Sequence, residues 1–239
     1  MFVVIFEVTP KQERWDEYLG LAGLLRPEIE KIDGFIDNER FASQRVKGRL
    51  LSLSTWRDEK AVIRWRTLGI HHVAQEKGRF EVFQDYHLRV GEITADSRLP
   101  PGGALLQQRL DETEIGEAKA ATISELPPID GKPASPDLAS ELGMPEIGSL
   151  GLVDRETYES IYSSGKLLLL GSWASADAAA AWRPSLPRRG DLHQRQVRII
   201  RDYGMFDRRE APQYYPEVAP LPTLRGEPRT NTTCATPYR

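Results

Sequence analysis

Gly48-Arg49-Leu50-Leu51-Ser52-Leu53-Ser54-Thr55-Trp56 returns as Gly165-Lys166-Leu167-Leu168-Leu169-Leu170-Gly171-Ser172-Trp173, shifted by 117 positions. The same shift carries Trp65-Arg66 onto Trp182-Arg183 and Asp85-Tyr86 onto Asp202-Tyr203. Toward the N-terminus it carries Gly34 onto Gly151, Asp37 onto Asp154 and Glu39 onto Glu156. Four of the five tryptophans fall in matched pairs, which makes a repeated structural unit the first reading of the chain. Both leucine-rich stretches are apolar at successive positions, the pattern of strands covered on both faces.

The elements of the first unit follow outward from that strand. Phe2 to Val8 reads as a strand ended by Pro10, and Lys11 to Ile32 as a helix with Trp15, Leu19, Ala22 and Ile29 on one stripe. Pro27 predicts a kink or break in that helix, and Gly34 a C-cap. Phe35 to Ser43 and Leu50 to Trp56 are strands joined by a turn at Val46-Lys47-Gly48. Asp58 suits the N-cap of a second helix with Ala61, Val62, Trp65 and Leu68 buried. The segment from Arg79 to Ile93 holds a fourth strand. This is the βαββαβ order of a ferredoxin-like unit. The second copy is degenerate. Ala120 to Glu125, Leu150 to Ile161, Leu167 to Trp173 and Val197 to Asp207 are strands, and Ala176 to Trp182 is a short helix. In place of the long helix stands a Pro- and Gly-rich stretch, helical only from Ser135-Pro136 to Leu142, with Ser135 as N-cap and Pro136 at N1.

The expected class is therefore α+β: two ferredoxin-like units in tandem forming an α+β barrel. Residues 1–94 make the first unit, 95–117 a connector entered through Pro100-Pro101-Gly102-Gly103, 118–210 the second unit, and 211–239 a Pro-rich extended or disordered tail. A four-stranded sheet with helices on one side leaves its other face bare, and these third strands are apolar on both. The internal copy is one partner for that face, giving an intrachain pseudo-dimer; a second chain, giving a homodimer, is the other.

Composition narrows the function. Of 239 residues 40 % are hydrophobic and 28 % charged, a globular mix, and a net charge of −3 argues against nucleic acid or an anionic membrane as partner. A lone cysteine, Cys234, excludes an intrachain disulfide and a cysteine zinc site. With no signal-like N-terminus and no apolar run approaching ~18 residues, the expected location is cytoplasmic. No Gly-rich phosphate loop, GxSxG or nicotinamide or flavin fingerprint occurs.

Several stretches carry a resemblance. They are Val3 to Val8, Leu25-Arg26-Pro27, Ile32-Asp33-Gly34-Phe35, Glu39-Arg40-Phe41, Leu51 to Trp56, Trp65-Arg66 through His71-His72-Val73-Ala74-Gln75 to Gly78-Arg79, and Asp85 to Val90. Together they resemble the antibiotic biosynthesis monooxygenase (ABM) family over about the first 95 residues, and more weakly in the second half. The resemblance implies a dimeric ferredoxin-like α+β barrel. Some members oxidise polyketide aromatics with dioxygen and neither metal nor flavin, and others degrade haem. The implied function is a cofactor-independent monooxygenase acting, with dioxygen, on a small hydrophobic molecule, aromatic or quinol-like. The alternatives are a non-catalytic ligand-binding barrel and a haem-degrading protein. A functional Asn of the haem branch falls near Glu7 here, which weakens that branch.

Each candidate residue carries two readings. Glu7, in an apolar strand, is a general base toward a phenol-like substrate or a paired structural acid. His71 matches a family histidine and suits acid–base work, or is a helix C-terminal histidine held by the dipole. Adjacent His71 and His72 point about 100° apart on a helix and cannot share a metal. No metal or cofactor site is expected. Trp56, Trp65 and Tyr86 form an aromatic wall for substrate or are core residues kept for packing. Arg40 and Ser54 are candidates to line the pocket, and Glu39 and Glu156 are expected in surface or sheet-edge pairs.

Overall fold

The computed structural model describes residues 1–99, 104–128, 135, 137–185 and 191–216. The strands are β1 (Phe2–Pro10), β2 (Phe35–Ser43), β3 (Leu50–Trp56), β4 (Phe83–Asp96), β5 (Ala120–Leu126), β6 (Leu152–Ser160), β7 (Leu167–Trp173) and β8 (His193–Gly204). The helices are α1 (Trp15–Ile29), α2 (Glu59–Thr67), α3 (Gly69–Lys77), α4 (Leu138–Glu141) and α5 (Ala176–Ala181). The eight strands close a single antiparallel barrel in the order β1-β3-β2-β6-β7-β5-β8-β4, so the fold is α+β. Strands β1–β4 and β5–β8 run in the same internal order, and the two sets join at β2·β6 and β4·β8.

Side-chain alternation sorts the core into an inside and an outside. Val3, Ile5, Phe41, Leu51, Leu53, Ile93, Ala121, Ile123, Tyr158, Leu168, Leu170, Val197 and Ile199 fill the barrel. On the outer face of the first set, Phe2, Trp56 and Val90 pack against Ile29 of α1 and Ala61 and Val62 of α2. On that of the second set, Leu138, Leu142, Met144, Leu167, Leu169, Trp173 and Trp182 form a solid apolar cluster.

Local geometry repeats at the shift read from sequence. Register slips between Phe35 and Asp37 in β2 and between Leu152 and Asp154 in β6. Gly34 and Gly151 have φ of +93° and +81°, and a Cβ on either would stand 2.7 Å from Ala61 Cβ or Ala178 Cβ. Asp58 and Ser175 both cap helices, accepting the N–H of Ala61 and Ala178.

Several boundaries differ from expectation. A tight 3-10 turn over Gln12–Arg14 precedes α1, and Pro27 lies within α1, which runs two residues past it. Gly34 is not the cap of α1; its positive φ turns the chain into β2 where the sheet approaches Ala61. The expected second helix is two, because Leu68 is extended (φ −63°, ψ 128°) and restarts the chain as α3. Asp137, not Ser135, caps α4, accepting from Ser140 N, while Ser135 Oγ accepts from Asp137 N. Pro136, the Pro100–Gly103 turn and residues 217–239 of the tail lie outside the described residues. Glu39 and Glu156 are not surface pairs: they face inward at the β2·β6 seam, where Ser160 donates to Glu39 and Ser43 to Glu156.

Gly48 also has positive φ (+83°), but with open space around its Cβ position. Gly48→Ala should therefore cost only the left-handed backbone term, about 1–2 kcal/mol. Gly34→Ala and Gly151→Ala should each cost more, because a clash adds to it. Urea unfolding of the three variants checks this order.

Candidate active site

Between the outer face of β1–β4 and helices α1–α3 lies a cavity of about 200 Å³. Phe6, Leu25, Ile29, Phe83, Leu88 and Val90 give it apolar walls. Its polar lining includes Asn38, Arg40, Ser52, Ser54, Arg66, His71, Gln75, Arg201 and Tyr203.

His71 is placed by the break at Leu68. The restart puts it in the first turn of α3 rather than at a helix C-terminus, so the helix dipole disfavours its cation. Its ring stacks on Trp65 with centroids 3.9 Å apart, and its Nδ1 lies 2.8 Å from the Trp65 carbonyl. A carbonyl only accepts, so Nδ1 carries the proton and Nε2 the lone pair. Nε2 meets one long contact, 3.5 Å to Gln75 Nε2. Burial lowers the His71 pKa to about 4, with the Trp65 carbonyl opposing and His72 assisting. Near neutral pH the ring is an uncharged base facing the cavity.

Two cations of the cavity wall lack a direct ion pair among the described residues, although Arg201 acts from a distance on Asp111, whose carboxyl it helps to lower. Arg66 and Arg201 make no ion pair there, and Arg66 Nε is buried without a hydrogen-bond partner. Burial raises the Tyr203 pKa to about 12, and the same two guanidiniums pull against it. Arg40 Nη1 donates to Tyr162 at 2.8 Å, while its Nε is buried without a partner.

The structure separates Glu7 from His71. Val4 and Phe6 of β1 face the cavity, whereas Glu7 points into the barrel, so the two residues do not line one pocket. Glu7 pairs with Arg89 at 2.6 Å and accepts from Tyr158 at 2.5 Å. Burial alone would push the Glu7 carboxyl up, but Arg89, His87 and Tyr158 hold it well below the usual carboxylate range. Trp56 is fully buried against Phe35 and donates to Ser54 at 2.9 Å. Ser54 and Trp65 line the cavity. Tyr86 packs on Phe6 and Phe83 beside it, its hydroxyl accepting from Arg208 at 2.5 Å.

The barrel interior holds a pattern the 117-residue shift hides. Glu7 lies opposite His87 and Ile5 opposite Arg89; Glu125 lies opposite His193 and Ile123 opposite Arg195. Arg89 bonds Glu7 and Ser172, and Arg195 bonds Glu125 and Thr55. His87 Nε2 lies 2.6 Å from Asp202, and His193 Nε2 lies 2.8 Å from Asp96. In sequence the signal is Asp85-Tyr86-His87-Leu88-Arg89 against Asp191-Leu192-His193-Gln194-Arg195, shifted by 106 rather than 117. Among the described residues no group of three or more His, Cys, Asp or Glu is placed to hold a metal ion, and no helix is long and apolar enough to cross a membrane.

Residues 1–77 match the family antibiotic biosynthesis monooxygenase. The chain is 41 % identical over 220 residues to "Jasmonate monooxygenase ABM" of Pyricularia oryzae strain 70-15, covering 90 % of this chain and 99 % of that protein. The chain belongs to the antibiotic biosynthesis monooxygenase family. Two crystal structures of aldoxime dehydratase, one with butyraldoxime, share its fold: each has a TM-score of 0.50 at 12 % identity and covers 83 % of this chain, and 81 % and 79 % of those chains.

Glu7→Gln should leave Arg89 charged and uncompensated inside the barrel, lowering stability by about 3–5 kcal/mol in thermal or urea unfolding. Linkage gives each group a pH limb. The Glu7 pKa is lowered on folding, so its contribution is present above the unfolded carboxylate range and is lost as pH falls below it. Burial pulls the His87 pKa down, but Asp202 and Glu7 carry it above its ordinary value. The His87 contribution is therefore full below about pH 6.5 and is lost as pH rises through the raised value. His87→Gln should flatten that alkaline limb of the stability profile.

Proposed function

We propose that the protein is a monooxygenase whose substrate, a small hydrophobic acid of the jasmonate kind, binds in the cavity between the sheet and α1–α3. The observation that carries this reading is an apolar cavity with an uncharged histidine base and two arginines, Arg66 and Arg201, that make no direct ion pair among the described residues. A carboxylate held by the guanidiniums satisfies both, and charge-assisted bonds in a desolvated site are strong. The 41 % identical jasmonate monooxygenase supports the reaction class and an acidic substrate. These unpaired cations favour an anion over a neutral aromatic or quinol; a phenolate remains within the class.

His71 Nε2 is the proposed base. It takes a proton from an activated C–H or O–H of the substrate, whose anion gives electrons to dioxygen. One oxygen atom enters the substrate and the other leaves as water. A substrate that supplies only two of the four electrons needs an external reductant for the other two. In this reading the chain supplies a base, a dry cavity and an anchor, and the chemistry needs no resident cofactor. Glu7 takes no part.

The proposed organisation is a tandem duplication: residues 1–94 supply most of the site, 95–117 connect, and 118–210 complete the barrel and add Arg201 and Tyr203 to the cavity wall. The matching strand orders, bulges and glycine turns support it.

Oxygen uptake by purified protein, with and without a reductant, tests the function against jasmonate, other hydrophobic acids, their methyl esters, hydroxylated aromatics and haem. Uptake with acids and not with esters is expected. Arg66→Gln should raise KM about 10–100-fold, the worth of one charged hydrogen bond, and His71→Gln should lower kcat. Turnover indifferent to both changes would remove the mechanism.

A further inference from the structure

The last described segment, Met205–Pro216, lies across helix α3 as a strap. Arg79, only 2 % exposed, donates to the Met205 carbonyl at 2.6 Å and to the Pro216 carbonyl at 3.1 Å. It sits in a π-helical turn, Gly78–Val82, a local distortion often found at functional sites. Arg208 donates to the Gln213 carbonyl at 2.9 Å and lies over the Tyr215 ring. Tyr215 stacks on His72, and Pro212 forms part of the cavity wall. Held at both ends, the strap reaches the His71 side of α3 through an amide: Gln213 Nε2 donates to Gln75 Oε1 at 3.1 Å.

We infer that Gln213 is a positioning residue for His71, acting through Gln75; as a claim about catalysis, this rests on the function proposed above. The argument is one of donor direction. His71 Nδ1 must donate to the Trp65 carbonyl, so in the neutral ring Nε2 is an acceptor. Gln75 must then turn its NH₂ toward Nε2, which turns its carbonyl oxygen outward, and that oxygen is met by the Gln213 NH₂. The donors Gln213, Gln75 and His71 all point the same way, toward the Trp65 carbonyl, so the strap amide keeps a donor facing Nε2 and reinforces the tautomer that this carbonyl sets. At 3.5 Å the Gln75 amide orients the lone pair without saturating it, and leaves it open to a proton from substrate. The strap thus ties closure of the cavity wall to the state of the proposed base.

Reversing the direction is the sharpest test. In Gln213→Glu the strap side chain can only accept, so Gln75 must turn over and present its oxygen to Nε2. That arrangement favours a proton on Nε2 while Nδ1 keeps its own, and so favours the imidazolium. Gln213→Met removes the link and leaves the Gln75 amide free to turn. The titratable groups that share the cavity with the ring or act on it are Tyr18 and Arg26 on α1, His72 on α3, Glu59 and Arg66 on α2, Arg40 on β2, and Arg201 and Tyr203 on β8. Both variants leave all of them in place.

The chain has only four histidines, so ¹⁵N-edited NMR can follow the tautomer and titration of His71, with His87 and His193 reporting that the barrel is intact. The wild-type ring should be the Nδ1–H tautomer and titrate far below the ordinary histidine range. Gln213→Glu should raise its pKa by one unit or more, and Gln213→Met should raise it by less, the neutral ring keeping the Nδ1–H tautomer in both. Gln75→Met should abolish the effect of Gln213→Glu, because the charge is still present but the relay is gone. A His71 titration unchanged in all three variants would overturn the inference, as would a Gln213→Glu shift that survives Gln75→Met. Because the readout needs no turnover, a failed relay is distinguishable from a failed monooxygenase assay. If both hold, Gln213→Met should lower kcat several-fold with little change in KM.

Discussion

Everything in this protein depends on the need to cover a sheet twice. Leu51 and Leu53 point one way from β3, and Leu50 and Trp56 the other, and all four are buried. Helices can cover only one side, because the connections that carry them leave and re-enter on that side. The remaining face must find another sheet, and closing the eight strands into a barrel does this while removing every exposed edge. Closure then fixes the rest. It places β4 against β8 and β2 against β6, brings charged groups into a confined interior, and leaves the helix side of β1–β4 as a separate compartment in which a small molecule can be held.

Much of that plan is legible in the sequence because it rests on short-range signals. The leucine strands, the recurring tryptophans and the Asp58 cap each report a local physical demand, and a fixed shift of 117 links them. The site is harder to read. Strand alternation puts Glu7 and Phe6 on opposite faces, but an apolar run on both sides conceals which face is the barrel and which is the cavity. The Leu68 break cannot be seen from periodicity, since its extended backbone interrupts a helical pattern without a proline or glycine at that position. The His87 and His193 equivalence was masked by a coincidence of Asp-Tyr pairs: Asp85-Tyr86 aligns with Asp202-Tyr203 at the wrong shift, whereas the hydrogen-bonded register aligns His87 with His193. Arg66 recurs beside Trp65 in the repeat, but neither it nor Arg201 announces in sequence that it makes no ion pair; that is a property of three-dimensional surroundings.

The two compartments use charge in opposite ways. Inside the barrel each cation is answered by an acid, as in Glu7 with Arg89 and Glu125 with Arg195, and removing one partner exposes the desolvation cost of the other. In the cavity wall Arg66 and Arg201 make no direct ion pair among the described residues, which is costly unless something else arrives to answer them. The contrast separates groups that hold the fold from groups available to a ligand, and it places Glu7 with the former and His71 with the latter.

His87 finds its acid in Asp202, and His193 finds its acid in Asp96, so neither set of four strands is electrically complete without the other. Joining both sets on one chain has a consequence for how such a molecule can change over generations. In an assembly of two identical chains, any alteration to one cavity is imposed on both. Here the halves mutate independently while the seam keeps them in register. On the helix side of β5–β8, Leu138, Leu142, Met144 and Trp182 form an apolar cluster, whereas the helix side of β1–β4 holds the cavity. In one chain the two sides can therefore differ, and the cavity, its wall completed by Arg201 and Tyr203 of β8, has no twin to accommodate.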